Sequence, residues 1–498
     1  MVYLVGAGPG DPGLLTLRGA AVLAKAETVV YDHLAPLELL SLAPKEAKLI
    51  DAGKESFKRS LSQEAINETL AAEAQAGRVV VRLKGGDPYI FGRGGEEALY
   101  LASLGLAFEV VPGVSATVAV AAAAGIPLTH RGLSQTATLA TGHAQEGGAG
   151  VDFTTLTGET LAVVMGRQNL ALICESLIKG GRSAQTLAAA IEWGATPKQR
   201  TITGSLATLP SLVEAANLRP PTLLVVGAVV GLRDQLNWFE KRPLFGRTIL
   251  VTRTKAQAGR LSELLKEAGA KVLERPAIAI HELSPNPELL AALKSLGPGG
   301  PYRYLVFTSP NGADLFLKAL WARGQDARAL AGLAIVVMGP GTAAALRPYG
   351  LKPDHVPAKT YQAEGLLDLF QDLNLPPGPV LWPRAATVRP TLAAGLNAMG
   401  FKVDEVVLYQ CEPGPLEFLN EDLASTPVDL ATITSASVAT YLGQALNEAN
   451  RKALKVVAIG PIASMAAQKA GLTVVAVSKV ATIESLASAI LDYFPKRY

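Results

Sequence analysis

The sequence predicts an α/β protein made of mostly parallel sheets with helices packed on them. Three observations carry this expectation. Short β-branched apolar runs alternate with helix-length segments, glycine-rich loops follow several of those runs, and the alternation breaks near residue 241 and restarts a few residues later. In sheets of this kind, binding sites gather at the carboxyl ends of strands.

At 498 residues the chain exceeds one ordinary core. Hydrophobic residues make up 49% and charged residues 18%, the latter below the roughly 25% of an average soluble domain. A net charge of +3 gives no reason to expect general affinity for nucleic acid or acidic membranes. Two uncharged stretches, 110–129 and 329–346, reach the crude length of a membrane span. Pro112, Gly113, Gly125 and Pro127 interrupt the first and Gly339-Pro340-Gly341 the second, so both read as buried segments. The start, Met1-Val2-Tyr3-Leu4, lacks a basic leader, and the expected location is cytoplasmic. Cys174 and Cys411 form no metal-like or redox-like spacing, and no metal is expected.

In chain order, a strand over 2–5 runs into Gly6-Ala7-Gly8-Pro9-Gly10-Asp11, followed by a helix over about 15–26 and a strand over 28–31 ending at Asp32. A helix near 63–76 precedes the run Val79-Val80-Val81 and a second loop, Arg82-Leu83-Lys84-Gly85-Gly86-Asp87-Pro88-Tyr89-Ile90-Phe91-Gly92-Arg93-Gly94-Gly95-Glu96-Glu97. Five glycines within eleven residues let backbone approach a ligand closely, and Arg82, Lys84 and Arg93 are read as flanking it with positive charge. The first loop resembles a dinucleotide fingerprint only in part, since its third glycine comes one residue early and Pro12-Gly13 delays the helix. A nicotinamide-dependent dehydrogenase is therefore the weaker reading.

The stretch Trp238-Phe239-Glu240-Lys241-Arg242-Pro243-Leu244-Phe245-Gly246 reads as a junction, with the main boundary at 241–246; the βα pattern restarts with a strand over 248–252 and a helix over about 257–268. The second half contains a repeat. Phe307-Thr308-Ser309 and later Gly339-Pro340-Gly341-Thr342 are echoed by Thr434-Ser435 and later Gly460-Pro461, each turn leading from a strand into a helix. Two similar lobes facing each other would form a cleft for a large ligand.

Leu4-Val5-Gly6-Ala7-Gly8-Pro9-Gly10-Asp11, the second glycine loop, Pro112-Gly113-Val114-Ser115-Ala116, Gly125-Ile126-Pro127-Leu128-Thr129-His130-Arg131, Thr141-Gly142-His143 and Lys198-Gln199-Arg200 resemble uroporphyrinogen-III C-methyltransferases of the tetrapyrrole methylase family. The resemblance covers about 1–240 and implies two α/β lobes, S-adenosylmethionine as methyl donor with S-adenosylhomocysteine as product, and double methylation of uroporphyrinogen III to precorrin-2 on the sirohaem and cobalamin branch. It also implies a homodimer through this domain. Pro9, Gly85, Gly86, Asp87, Ile90, Ser115, Ala116, Met165 and Gly194 fall at donor-binding positions, Asp32 at the proton acceptor, Lys54 at the proton donor, and Arg93, Glu96 and Arg131 at substrate contacts. Read alone, Asp32 serves equally as a helix cap, Lys54 as a solvated lysine and Met165 as core. Some relatives carry a dehydrogenase and chelatase region ahead of the methylase, so oxidation and metal insertion are not expected of the region present.

Residues 247–498 resemble uroporphyrinogen-III synthases through the strand-Thr-Arg ending at Thr252-Arg253, Phe307-Thr308-Ser309, Gly339-Pro340-Gly341-Thr342, Val407-Leu408-Tyr409-Gln410, Thr434-Ser435 and Ile459-Gly460-Pro461. The implied reaction cyclises hydroxymethylbilane without a cofactor. The implied lobes are 247–276 plus 413–498, and 280–409, behind a methyltransferase domain of 1–242. Tyr409 is the candidate proton donor to the departing hydroxyl, or else a structural hinge tyrosine; Ser309, Thr342 and Ser435 are candidate substrate contacts. Ile462-Ala463 departs from the threonine often found after the second Gly-Pro. The rival reading for this half is a binding module without catalysis.

Overall fold

The computed structural model describes residues 1–53, 61–143, 150–284 and 286–495. The chain divides into two compact units, Met1–Gly246 and Arg247–Lys496.

The first unit holds two five-stranded sheets. The strands are β1 (Val2–Gly6), β2 (Thr28–Tyr31), β3 (Lys48–Asp51), β4 (Val80–Lys84) and β5 (Phe108–Val111); β1, β2 and β4 are largely buried, β5 is half-buried and β3 is mostly exposed at the sheet edge. They pair in parallel in the order β3-β2-β4-β1-β5. Side chains alternate across the sheet. Val2, Leu4, Val30 and Val80 pack under Ile66, Leu70, Ala98 and Leu101 on one face, while Val5, Val29, Val81 and Leu83 pack on Val22 and Leu23 on the other. Thr16 caps helix Leu17–Leu23 and Ser62 caps helix Gln63–Gln75, each accepting a backbone N–H of the first turn.

The second sheet departs from the parallel expectation. Its strands are β6 (Ala137–Thr141), β7 (Thr160–Val164), β8 (Leu187–Glu192), β9 (Arg200–Ser205) and β10 (Thr222–Val226), in the order β6-β7-β10-β8-β9. Only β6 and β7 are parallel; β10 runs antiparallel to both neighbours and β8 to β9. Helix Ala116–Ala123 follows β5 and buries Val120 and Ala121 against Ala162, Ala189 and Val225 of this sheet, which ties the two lobes of the unit together.

The second unit starts with the parallel strands β11 (Thr248–Val251) and β12 (Lys271–Glu274). The chain then builds a separate sheet from β13 (Ile278–Glu282), β14 (Tyr304–Phe307), β15 (Ala334–Val337), β16 (Pro379–Ala385) and β17 (Lys402–Pro413), ordered β13-β17-β16-β14-β15. It returns to the first sheet with β18 (Leu430–Ile433), β19 (Lys455–Ala458) and β20 (Thr473–Val477), giving β12-β11-β18-β19-β20. The antiparallel pair β13 and β17 carries the chain between the two lobes. The repeat has a physical basis: Ser309 opens helix Pro310–Ala322 by accepting the Gly312 N–H, and Ser435 opens helix Ala436–Ala445 by accepting that of Val438. Pro340 and Pro461 start helices Pro340–Leu346 and Pro461–Lys469 after extended glycines.

The two uncharged stretches resolve into short strands, loops and helices, and no described helix is long and apolar enough to cross a membrane.

Candidate functional site

In the first unit the loops after β1, β4 and β5 converge at the carboxyl edge of the sheet. Gly8 and Gly86 form a two-way backbone bridge, Gly8 N–H to Gly86 O at 3.1 Å and Gly86 N–H to Gly8 O at 3.0 Å. A Cβ on Gly6 would lie 2.5 Å from Gly113 Cα, so these two loops touch through bare backbone. Asp87 organises the second loop: Oδ1 accepts the N–H of Tyr89 (2.8 Å) and Ile90 (3.1 Å), and Oδ2 that of Gly113 (2.9 Å). Both carboxylate oxygens are thus engaged with the loops themselves.

Gly86 has φ +70°, and a Cβ there would sit 3.5 Å from the Ala116 N, over the start of helix Ala116–Ala123 that Ser115 caps. The second lobe closes on the same place. A Cβ on Gly10 would fall 2.4 Å from Thr196 Cγ2, and one on Gly194 would fall 2.1 Å from Val120 Cγ1. Pro9, Gly85, Gly86, Asp87, Ser115, Ala116 and Gly194 therefore lie on loops that meet through close backbone packing at this edge. Gln199 of Lys198-Gln199-Arg200 holds it from behind, accepting the Ala195 N–H (2.9 Å) and donating to Ala123 O (3.3 Å) and Glu240 (2.8 Å). Met165 (φ 54°), Trp193 (φ 47°) and Ala195 (φ 59°) are non-glycine residues in the left-handed region at the ends of β7 and β8. Strained backbone of this kind persists where surrounding structure imposes it, and it clusters at ligand sites. Met165 is exposed, as is Ile90 in the second glycine loop.

Asp32 stands at the end of β2, half-buried, with its Oδ1 2.5 Å from Arg82 Nη2. Arg82 and Lys84 alternate along β4 and therefore share one face. They do not flank the loop with free charge as the sequence suggested: their side chains are 2% and 3% exposed, turned under helix Gly94–Ser103. There Glu97 Oε1 takes Arg82 Nε at 3.1 Å and Lys84 Nζ at 2.8 Å. Burial pushes the Lys84 ammonium below its usual range, aided by Arg82 and opposed by Glu97. Glu97 was not singled out from the sequence. The available signal was two cations at alternate positions of an apolar strand, followed by an acid in the first turn of the next helix.

Arg93 and Glu96 pair with each other at 2.6 Å on the surface, and that hydrogen bond holds the Glu96 carboxyl below its ordinary range. Arg131 is exposed. Lys54 lies outside the described residues. No group of three or more His, Cys, Asp or Glu suited to a metal ion occurs among the described residues.

In the second unit Tyr409 of β17 is 4% exposed, and its hydroxyl lies 2.8 Å from Ser309 Oγ. Burial pushes the phenol above its usual range, so it stays protonated at neutral pH. Ser309 and Ser435 are half-buried at their helix starts, whereas Thr342 is buried at 4% exposure in the first turn of its helix and offers almost no surface to a ligand. Gln257, Asn311 and Arg253, none of them expected as site residues, also meet near Tyr409: Gln257 Nε2 donates to Asn311 Oδ1 at 2.7 Å, joining the two lobes, and Gln257 Oε1 accepts from Arg253 Nη2 at 3.2 Å.

Two family models match the chain, tetrapyrrole (corrin/porphyrin) methylases over residues 1–210 and uroporphyrinogen-III synthase HemD over residues 259–488. The porphyrin biosynthesis protein HemD of Ruminiclostridium josui is 35% identical over 504 residues, covering 99% of this chain and 97% of that protein. The siroheme synthase of Chromobacterium violaceum is 47% identical over 242 residues, which is 48% of this chain; the match spans 52%, about half, of that relative. A solved structure of uroporphyrin-III C-methyl transferase from Thermus thermophilus, complexed with S-adenyl homocysteine, is 41% identical over 46% of this chain and 99% of its own, with a TM-score of 0.41. With both family models matched in order and a relative similar from end to end, the chain belongs to the family of fused porphyrin-biosynthesis enzymes in which a tetrapyrrole methylase domain precedes a uroporphyrinogen-III synthase domain.

Proposed function

We propose that the rear half cyclises hydroxymethylbilane to uroporphyrinogen III and that the front half methylates this product twice to precorrin-2, towards sirohaem or cobalamin. The observation that supports the methylase reading is the convergence of the glycine loops at the carboxyl edge of the first sheet, where the Gly8–Gly86 bridge lies beside the helix start that Ser115 caps. S-adenosylmethionine would bind at this edge and supply an electrophilic methyl group. Pro9, Gly85, Gly86, Ile90, Ser115, Ala116, Met165 and Gly194 would hold it, with Asp87 fixing the loop that does so.

Asp32, paired with Arg82, is available to accept the proton that the ring system gives up from a nitrogen or bridge carbon after the methyl group adds, the methylated carbon itself carrying a carboxyalkyl arm and no hydrogen. Arg93 and Arg131 on the surface suit the carboxylates of the tetrapyrrole, for which Arg93 would exchange its bond to Glu96. Lys54 remains the proposed proton donor. In the rear half the neutral Tyr409 phenol is a donor for the departing hydroxyl, and the helix starts at Ser309 and Ser435 offer N–H groups to carboxylates. The reading involves no resident metal and no nucleic-acid or membrane partner, and it puts a homodimer in the cytoplasm. Incubating the full chain with hydroxymethylbilane and labelled S-adenosylmethionine tests it: a doubly labelled product of the type III isomer supports both halves. Unlabelled tetrapyrrole or unconverted bilane removes one half or the other.

A further inference from the structure

Arg253 follows β11 at its carboxyl end and is half-buried. Its Nε is sealed from solvent and has no hydrogen-bond partner, and among the described residues no carboxylate pairs with it. Arg247 Nε is likewise sealed without a partner, but its guanidinium has a counter-ion. Arg247 holds Asp429 at 2.9 Å, Arg275 holds Asp422 at 2.6 Å, and Arg389 holds Glu364 at 2.7 Å. Burial pushes the Arg253 guanidinium below its usual range, with no neighbouring charge acting on it. A guanidinium withdrawn from water without a counter-ion is destabilising unless an anion arrives to pair with it.

Its position says which anion. Arg253 Nη2 donates to Gln257 Oε1 (3.2 Å) and Gln257 Nε2 donates to Asn311 Oδ1 (2.7 Å). Asn311 lies two residues beyond Ser309, whose Oγ meets the Tyr409 hydroxyl at 2.8 Å. The charge without a partner is thus linked through Gln257 to the start of the opposite lobe's helix, beside the proposed proton donor. We propose that Arg253 binds a carboxylate of the linear tetrapyrrole beside Tyr409, and that Gln257 is the positioning residue that aims its guanidinium. This rests on the synthase reading given above. The planar fork of arginine suits a carboxylate held in one orientation, which a flexible polyanion needs before closing into a ring.

The test uses the full chain with hydroxymethylbilane as substrate. Arg253→Met should raise KM by about 10- to 100-fold, the size of one lost charge-assisted hydrogen bond, while kcat changes by less than about threefold. Added salt should raise the KM of the wild type more steeply than that of Arg253→Met, whose remaining carboxylate contacts still respond. Arg253→Lys should recover part of the loss, since it keeps the charge and loses the fork. Gln257→Ala should raise KM by less than Arg253→Met does. Thermal unfolding of each variant reports whether it folds; should Arg253→Met not fold, the KM values of Arg253→Lys and Gln257→Ala decide. Folded variants with wild-type KM and wild-type salt response overturn the assignment while the synthase reading stands. A wild-type chain that leaves the bilane unconverted overturns the synthase reading and the assignment together.

Discussion

Arg82 bridges two carboxylates, with its Nη2 2.5 Å from Asp32 Oδ1 and its Nε 3.1 Å from Glu97 Oε1. One of those carboxylates is half-buried at the carboxyl edge of the sheet and the other is sealed inside. The guanidinium therefore fixes the orientation of Asp32 from beneath, and Glu97, itself bonded by Lys84, fixes the guanidinium in turn. Asp32→Asn should lower methylation of uroporphyrinogen III by roughly 10²–10⁴-fold, the range of general acid–base assistance. Donor affinity should stay near wild type. Single-turnover methylation together with calorimetry checks both halves, and normal turnover would leave Asp32 as a positioning or capping group.

The proposed donor loop makes a second prediction. At φ +70° a side chain at position 86 is strained even though its Cβ meets nothing nearer than the Ala116 N at 3.5 Å. The cost of the left-handed conformation is about 1–2 kcal/mol, and the Cβ projects over the helix start. Gly86→Val should remove measurable S-adenosylmethionine binding while the chain stays folded. Calorimetry on a variant with a normal unfolding transition is the check, and undiminished affinity would discard this role for the loop.

A pH prediction comes from Glu73, 11% exposed and bonded to Lys48 (2.6 Å), Thr28 (2.8 Å) and Arg78. The Lys48 hydrogen bond, with those of Thr28 and Arg78, holds this carboxyl at about 2 against burial, which pushes it up. A depressed pKa stabilises the fold fully above the unfolded value of about 4.3, and that contribution fades as pH falls below it. Glu73→Gln should cost about 1–3 kcal/mol at pH 7. Wild type and variant should converge as pH approaches about 2. Urea unfolding at a series of pH values would show the two curves closing, and parallel curves would contradict the assignment.

The last prediction concerns the junction. Phe245 packs with Phe239, Ala123 and Ala195, and Arg242 stacks on Trp238 and Phe239 at 4.6 and 4.4 Å. We propose that residues 1–246 alone will methylate supplied uroporphyrinogen III, and that 247–498 alone will cyclise hydroxymethylbilane without a methyl donor. A fragment ending at 242 should be less stable than one ending at 246 by roughly 1–3 kcal/mol for the lost aromatic burial. Soluble, folded fragments that are inactive apart and active when mixed would refute the independence of the halves.

Much of this was legible in the sequence because the chain states its strands plainly. Val2, Leu4 and Val80 are β-branched or apolar at strand spacing, and glycine loops mark where those strands end. Arg82 and Lys84 were misread because nearness in sequence to a glycine loop suggests exposure. Period-two alternation instead turns both of them under the following helix, and Glu97, in the first turn of that helix, makes that burial tolerable. The antiparallel β8, β9 and β10 were not anticipated, since a short apolar strand does not declare its direction. Arg253 and Gln257 could not be linked to Asn311 from sequence, because the Gln257–Asn311 bond forms only once two lobes separate in the chain face each other.

Gly6 and Gly113 meet so closely that a Cβ on either would come within 2.6 Å of the other's backbone. Neither can drift to alanine unless the two loops part, and no second substitution elsewhere relieves a backbone-to-backbone contact. Selection should therefore freeze both positions even in descendants that no longer catalyse anything, as long as the sheet persists. Invariance at this pair would date the fold and say nothing of the reaction; if the proposed roles of Asp32 and Arg253 hold, the history of the chemistry would be read at those two positions instead.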